Sequence, residues 1–290
     1  MQEESISSDM LYNPTSKTDN PKRSNPLSSE NIQEGLRTHW LGKGLIRCYK
    51  TIDSTNNEAK RLAHAGALEG TIILAESQHQ GKGRMGRTWI SPPGEGIYLS
   101  AVLRPCIVPA EVQKLTLVAA VALAFTFRHF GIISQIKWPN DILVNGKKAA
   151  GILMELITKA GQIDFVIVGI GVNVNTSIDE LPLSIRNLAT SINMVTSRPI
   201  PRQKIIQVLL MQLESWYKQF LTGPFEMILE EWKRLSYTLG THVTVTLSDG
   251  KLEGVAEAVG SDGALMVRDD KGGRHRVIAG DVVYCRSLLS

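Results

Sequence analysis

The run Val168-Gly169-Ile170-Gly171-Val172-Asn173-Val174-Asn175 constrains the fold of this chain more than any other segment. A period of two puts Val168, Ile170, Val172 and Val174 on one face and Gly169, Gly171, Asn173 and Asn175 on the other. Such a segment is a strand with one apolar face to bury and one bare face that ends in amides. Glycine inside a strand marks the close approach of a ligand or of another backbone, and tight packing against a helix explains it equally well.

Around this strand the hydrophobic periods are mixed, as in an α+β domain. Strands are expected at Thr71 to Glu76, Ile97 to Leu103, Ile136 to Trp138, Ile142 to Val144 and Ala150 to Glu155. Asn145-Gly146 between the last two is the dipeptide of a tight hairpin. Glu111 to Phe130 reads as a helix, apolar around most of its circumference and therefore internal. Another helix starts after Asp53 and runs to His64, with Thr55 and Glu58 at capping-box spacing. Two more follow, at about Pro201 to Phe220 and Phe225 to Leu235.

The ends differ in texture. Residues 1–30 are rich in Ser, Asn, Pro and Lys and read as a disordered tail. Residues 31–44 form a lead-in, with a short helix from Asn31 to Trp40 closed by Gly42. Residues 45–236 make the main domain. In residues 237–290, short apolar runs at Val243 to Leu247, Val255 to Val259, Leu265 to Val267 and Val277 to Ile278 alternate with turn signals. Their even spacing predicts a small β-barrel.

Composition narrows the function classes. The 290 residues carry a formal net charge of +4, too slight to argue for a nucleic-acid partner. Three scattered cysteines and six dispersed histidines suggest neither a disulfide framework nor a metal site. The apolar stretch Leu115 to Phe127 is too short to span a bilayer, and no secretory signal opens the chain. A cytoplasmic setting with no membrane partner is expected.

Two segments carry the chemistry. Gly81-Lys82-Gly83-Arg84-Met85-Gly86-Arg87-Thr88-Trp89 combines bare backbone with three cations, which suits a phosphate; a solvated basic loop is the plainer alternative. It imitates a dinucleotide fingerprint and a Walker A loop. Both need a helix to follow, and Pro92-Pro93-Gly94 prevents one. In Lys137-Trp138-Pro139-Asn140-Asp141, a lysine ends a strand just before a proline breaks it. Either the lysine sits at the surface beside an Asn-Asp turn, or a rigid strand aims a cation at a carboxylate or phosphate. Ser54 and Thr55 read by themselves as helix N-caps.

Taken together, DSTN (Asp53 to Asn56), AESQ-x-QGKGR-x-GR-x-W (Ala75 to Trp89), KWPNDIL (Lys137 to Leu143), KAAGILME (Lys148 to Glu155) and GIGVNVN (Gly169 to Asn175) resemble the biotin–protein ligases in order and spacing. The resemblance runs from about Asn31 to the C-terminus. It implies a mixed-sheet catalytic domain related to lipoate ligases and class II aminoacyl-tRNA synthetases, followed by an SH3-like β-barrel. It also implies an activity: biotin and Mg-ATP give biotinyl-5′-AMP, and the biotinyl group passes to a lysine of a biotin carboxyl carrier domain of acetyl-CoA carboxylase or a related carboxylase.

By matched position the resemblance places Ser54, Thr55, Asn56, Gln78, Lys82, Gly83, Arg84 and Lys137 at biotin. It places Gly81, Arg87, Trp89, Asn140, Gly171 and Asn173 at the nucleotide. Lys137 and Arg84 are the catalytic candidates, no protein metal site is expected, and Asp141 is the nearest acid for deprotonating the acceptor lysine. Lys82 and Met85 stand where many relatives have arginine. Relatives that also repress transcription carry an N-terminal winged helix-turn-helix; the first 40 residues here are too few and too polar for one, so no DNA partner is expected. A monomer and a homodimer both fit.

Overall fold

The computed structural model describes residues 26–196, 200–247 and 250–284. A seven-stranded mixed sheet organises the larger unit. Its strands are β1 (Ile46–Tyr49), β2 (Ile72–Ala75), β3 (Gly96–Leu103), β4 (Gln135–Lys137), β5 (Asp141–Val144), β6 (Lys147–Lys159) and β7 (Gln162–Asn173), in the spatial order β1-β2-β3-β7-β6-β5-β4. Only β1 and β2 run parallel; every other neighbour is antiparallel. The turn from β5 to β6 takes positive φ at both Asn145 and Gly146, as the dipeptide requires.

Among the described residues six α-helices complete the framework: α1 (Ser29–Glu34), α2 (Thr55–His64), α3 (Lys114–His129), α4 (Ile192–Val195), α5 (Arg202–Thr222) and α6 (Phe225–Leu235). The alternation along β7 is realised. Val168, Ile170, Val172 and Val174 join the large core with α3 and α5, while Ile167 and Phe165 pack with Ala59 and Ala63 of α2 on the other side. The segment Pro109–His129 is long and apolar enough to cross a membrane, yet 67% of its most apolar window is buried inside the protein. Its apolar surface is consumed by packing.

The lead-in departs from the sequence reading. The tail was expected to stay disordered to residue 30, with a helix from Asn31 to Trp40. Instead α1 begins at Ser29, capped by the Ser28 hydroxyl, and ends at Glu34. Leu27 is buried and its N–H donates to Glu76 Oε1 at 2.6 Å. A side chain 49 residues away fixes this segment, which local composition cannot reveal. The rest of the expected tail, residues 1–25, lies outside the described residues.

The C-terminal unit contains β8 (His242–Leu247), β9 (Gly250–Val259), β10 (Leu265–Arg268), β11 (Arg274–Val277) and β12 (Asp281–Tyr284). The expected SH3-like β-barrel is not formed. The strands lie in the linear order β11-β10-β9-β8-β12, so β11 and β12 are opposite edges of an open antiparallel sheet among the described residues. Even spacing of apolar runs specifies strands, but closure depends on stagger and tilt, which spacing does not encode. The sequence reading also passed over β12.

This sheet docks firmly. Trp138 Nε1 donates to Gly263 O at 3.1 Å and Trp138 N–H donates to Thr238 Oγ1 at 2.9 Å. Gly263 leaves no room for a Cβ, which would lie 2.7 Å from Leu117. Val243, Val245, Leu265 and Val282 belong to the same apolar cluster as α3.

A buried ion pair ties the entrance of α5 to the end of β2. Arg202 Nη1 donates to Glu76 Oε2 at 2.7 Å and to Gly96 O at 3.1 Å, with its side chain only 1% exposed. Replacing Arg202 with methionine removes the guanidinium from the Glu76 carboxylate, whose side chain is 16% exposed and still accepts the Leu27 N–H. Urea unfolding should show a loss of about 3–5 kcal/mol, much of it recovered when Glu76→Gln is added.

Candidate functional site

A cavity of about 540 Å³ opens on the α2 face of the large sheet. Its deep end is built by the start of α2. Ser54 is the N-cap in extended conformation, but its side chain makes no capping bond. The capping box expected from Thr55 and Glu58 is absent. Glu58 instead receives the Tyr49 hydroxyl at 2.6 Å and Arg61 Nε at 2.7 Å. Thr55 turns inward, donating its N–H and its hydroxyl to Gln78 Oε1 at 2.8 and 3.1 Å. Ser54, Thr55, Asn56 and Gln78 therefore line the cavity, with polar groups that a helix start would ordinarily consume.

Bare backbone forms the floor. Gly169 lies between Ser100 of β3 and Leu153 of β6, and Gly171 lies between Tyr98 and Gly151. A Cβ at Gly169 would fall 2.1 Å from Asn56 Oδ1, and one at Gly171 would fall 2.4 Å from the Trp89 indole. At Gly151 it would come within 3.0 Å of the same ring. The two readings of the glycines thus merge: they admit close side-chain packing, and the packed side chains are themselves cavity walls. Asn173 also borders the cavity and is held by its Nδ2 donating to Thr190 O at 3.0 Å.

The cationic loop and the lysine turn meet at the mouth. Gly83 N–H donates to Arg87 O at 2.7 Å and Trp89 N–H to Gly81 O at 2.9 Å, closing a miniature hairpin around one 3-10 turn, Arg84–Gly86. No α-helix follows it. Gly81 is buried beneath, where a Cβ would strike Trp89 O at 2.4 Å, and does not line the cavity. Met85 takes a left-handed φ of 54°, a conformation that costs most side chains energy. Arg84 Nη1 reaches Asn140 Oδ1 at 3.3 Å and Gly280 O at 3.2 Å, so it bridges the turn and the C-terminal unit. Asn140 is pinned in turn by its Nδ2 donating to Ile152 O at 2.7 Å. Lys82 and Arg87 lie on the rim, Lys82 donating to Asn57 Oδ1 and Arg87 pairing with Asp281.

Charge is balanced toward cation at this mouth. Lys137 ends β4 and lines the cavity; burial lowers its pKa from the ordinary lysine range, against the opposing pull of Asp141 and Asp281. Lys148 pairs with Asp141 at 2.6 Å and lies 5.4 Å from the centre of the Trp89 ring. Burial pushes the Asp281 carboxyl up, but the Arg87 hydrogen bond and the charges of Arg87, Lys137 and Arg84 outweigh it and hold the group low. The start of α2 thus offers mostly neutral oxygens and amides, with Lys82 on the rim beside Asn57, and cations cluster at the other end.

Every candidate from the sequence except Gly81 borders this cavity. Sequence reasoning missed Ser100, Lys148, Gly151 and Asp281. Alternation along β3 and β6 could have placed Ser100 and Gly151 on the glycine face. Nothing in the local pattern marks Asp281, which arrives from the C-terminal sheet. Asp141, the suggested acid, is engaged by Lys148. Trp138, next to Lys137, turns away from the cavity and serves the domain contact.

Comparisons with known proteins agree with this arrangement. Residues 48–173 match the model of the biotin/lipoate A/B protein ligase family, and residues 238–284 match the biotin protein ligase C-terminal domain. The bifunctional ligase/repressor BirA of Bacillus spizizenii is 37% identical over 87% of this chain and 77% of its own length. The biotin–[acetyl-CoA-carboxylase] ligase of Paracoccus denitrificans is 32% identical over 80% of this chain and 97% of its own. The biotin protein ligase of Aquifex aeolicus in complex with biotin and ATP superposes with a TM-score of 0.73 at 28% identity, covering 84% of this chain and all of that one. Both units are matched in order, and most residues that line the cavity lie within the two matched regions, Leu181, Ile185, Leu188, Ala189 and Tyr237 excepted. The chain belongs to the biotin–protein ligase family.

Proposed function

We propose that the cavity joins biotin to AMP and then passes the biotinyl group to a lysine of a biotin carboxyl carrier domain, in an ATP-supplied cytoplasmic setting. The observation that carries this reading is the meeting of Arg84 and the Lys137 turn at one end of a cavity whose other end is polar but uncharged at Ser54, Thr55, Asn56 and Gln78. A small acid with a hydrogen-bonding head and a carboxylate tail fits that polarity. The bicyclic end of biotin is a cyclic urea. Its oxygen suits the Ser54 hydroxyl and the amino end of α2, and its N–H groups suit the Thr55, Asn56 and Gln78 oxygens.

The chemical obstacle is charge. A carboxylate oxygen must bond to an α-phosphorus ringed by negative oxygens while the bond to the β-phosphate breaks and pyrophosphate leaves. Lys137, on a rigid strand end, reduces the repulsion as these oxygens approach. Arg84, Lys82 and Arg87 take up charge on the phosphates, while Trp89, Asn140, Gly171 and Asn173 border the nucleotide end. Magnesium enters as part of the Mg-ATP substrate. No group of three or more His, Cys, Asp or Glu able to hold a metal occurs among the described residues, and cations crowd the phosphate end. In the second half-reaction the neutral acceptor amine attacks the acyl carbon, and AMP leaves with its oxygen. Gly83 and the rest of the loop, seated on the buried Gly81, shield the mixed anhydride from water until then. Residues 45–236 carry this chemistry, with Gly280 and Asp281 of the C-terminal unit reaching the loop.

Lipoate or an octanoyl chain would find no partner for the polar end, and buried polar groups left unpaired reject such a ligand. ATP–pyrophosphate exchange with biotin, lipoate and octanoate, followed by the intact mass of a carrier domain, tests the assignment. Exchange with lipoate or octanoate but not biotin would refute it.

Lys137→Ala should slow biotin-dependent exchange by about a hundredfold or more. Because burial lowers the Lys137 pKa, the alkaline limb of kcat/KM for adenylation should fall below that of an ordinary lysine, and Lys137→Arg should move it upward out of range. Arg84→Gly removes the bridge to Asn140 and Gly280 and should release adenylate. Labelling of a bystander protein such as serum albumin should rise about tenfold or more; labelling equal to the parent would assign the bridge no role in retention.

A further inference from the structure

One group beside the cavity has no part in the chemistry above. Glu155 sits on the glycine face of β6, opposite Ile167 and one alternation beyond Leu153. Its Oε2 accepts Asn56 Nδ2 at 2.7 Å and its Oε1 accepts Lys60 Nζ at 2.5 Å. Asn56 Oδ1 points the other way, over Gly169, and accepts the fully buried Ser100 hydroxyl at 2.6 Å. Ser100 Oγ is also 2.8 Å from Thr55 Oγ1, whose own proton goes to Gln78 Oε1. Gln78 Nε2 then donates to Ser91 Oγ at 3.0 Å.

This chain of contacts has two fixed ends. At one, the Thr55 backbone N–H can only donate, so Gln78 must present its oxygen. At the other, an ionised carboxylate can only accept, so Asn56 must present its amide nitrogen outward and its oxygen inward. Burial pushes the Glu155 carboxyl up, but hydrogen bonds from Lys60 and Asn56 outweigh it and keep the group ionised.

We infer that Glu155, anchored by Lys60, is a positioning residue that sets the orientation of the Asn56 amide and so selects an acid with a donor-bearing head over one with an apolar tail. The inference rests on the biotin-ligase reading of the cavity. Without Glu155 the Asn56 nitrogen keeps only its longer, 3.4 Å contact with Leu153 O, a weak restraint on the amide; turned over, the nitrogen would meet the urea N–H groups donor to donor. The alkyl end of octanoate makes no such demand.

Glu155→Met keeps the side-chain length and deletes the acceptor, whereas Glu155→Gln retains an acceptor oxygen. In pyrophosphate exchange by the full chain, Glu155→Met should raise KM for biotin about tenfold or more, with kcat and KM for ATP within about twofold of the parent. Glu155→Gln should stay within about threefold, and any slow exchange supported by octanoate should be the same in all three proteins. Lys60→Met, at the outer end of the chain of contacts, should raise KM for biotin about threefold. An unchanged KM for biotin in Glu155→Met, or parallel losses in kcat and both KM values, overturns the inference. Should Glu155→Met not fold, Lys60→Met decides: no change in its KM for biotin overturns the inference. A parent protein without biotin-dependent exchange is a different failure, that of the ligase reading itself.

Discussion

The site depends on three missing Cβ atoms. Gly151, Gly169 and Gly171 form one bare patch on an otherwise filled sheet, and Asn56 and Trp89 lie directly upon it. Any side chain at Gly169 or Gly171 would displace those two walls by more than the core tolerates, since either Cβ would fall well inside contact distance. The opposite face of the same strand is Val168, Ile170 and Val172, buried in the same core cluster as α3 and α5. One strand therefore does both jobs: its apolar side fixes the sheet, and its empty side fixes the cavity. The floor inherits the rigidity of the core.

Polarity is then sorted along the cavity by where elements begin and end. The start of α2 supplies hydroxyls and amides without formal charge, and the end of β4 with the glycine loop supplies cations. Carboxylates are present at the mouth, yet each is already answered: Asp141 by Lys148 and Asp281 by Arg87. An incoming anion meets a net positive end that is not diluted by free acids. Burial of Lys137 matters in the same sense, because a poorly hydrated ammonium interacts more strongly with an arriving phosphate than an exposed one does.

Much of this was legible in the residues, for reasons that can be located. Strand alternation at Val168 to Asn175, the Asn145-Gly146 turn and the apolar helix Lys114–His129 are local signals, and the structure follows them. The loop and the lysine turn were each ambiguous alone; their motifs acquired meaning from order and spacing. What the sequence hid is long-range. The Leu27–Glu76 contact orders residues that look like a tail. The capping box failed because Tyr49 and Arg61 compete for Glu58, and neither preference is visible at Glu58 itself. Closure of the C-terminal strands into a barrel was inferred from spacing, but the sheet stays open, and its β12 brings Asp281 to a site assembled mostly from residues 54–173.

That last contact bears on how the enzyme is made. Arg84 and Arg87 touch Gly280 and Asp281, partners 196 and 194 positions later in the chain. A ribosome delivers the loop long before it delivers the strand that steadies it. The loop's contacts with Asn57 and Asn140 can form from the earlier chain, and those with Gly280 and Asp281 wait for the last strand to be translated.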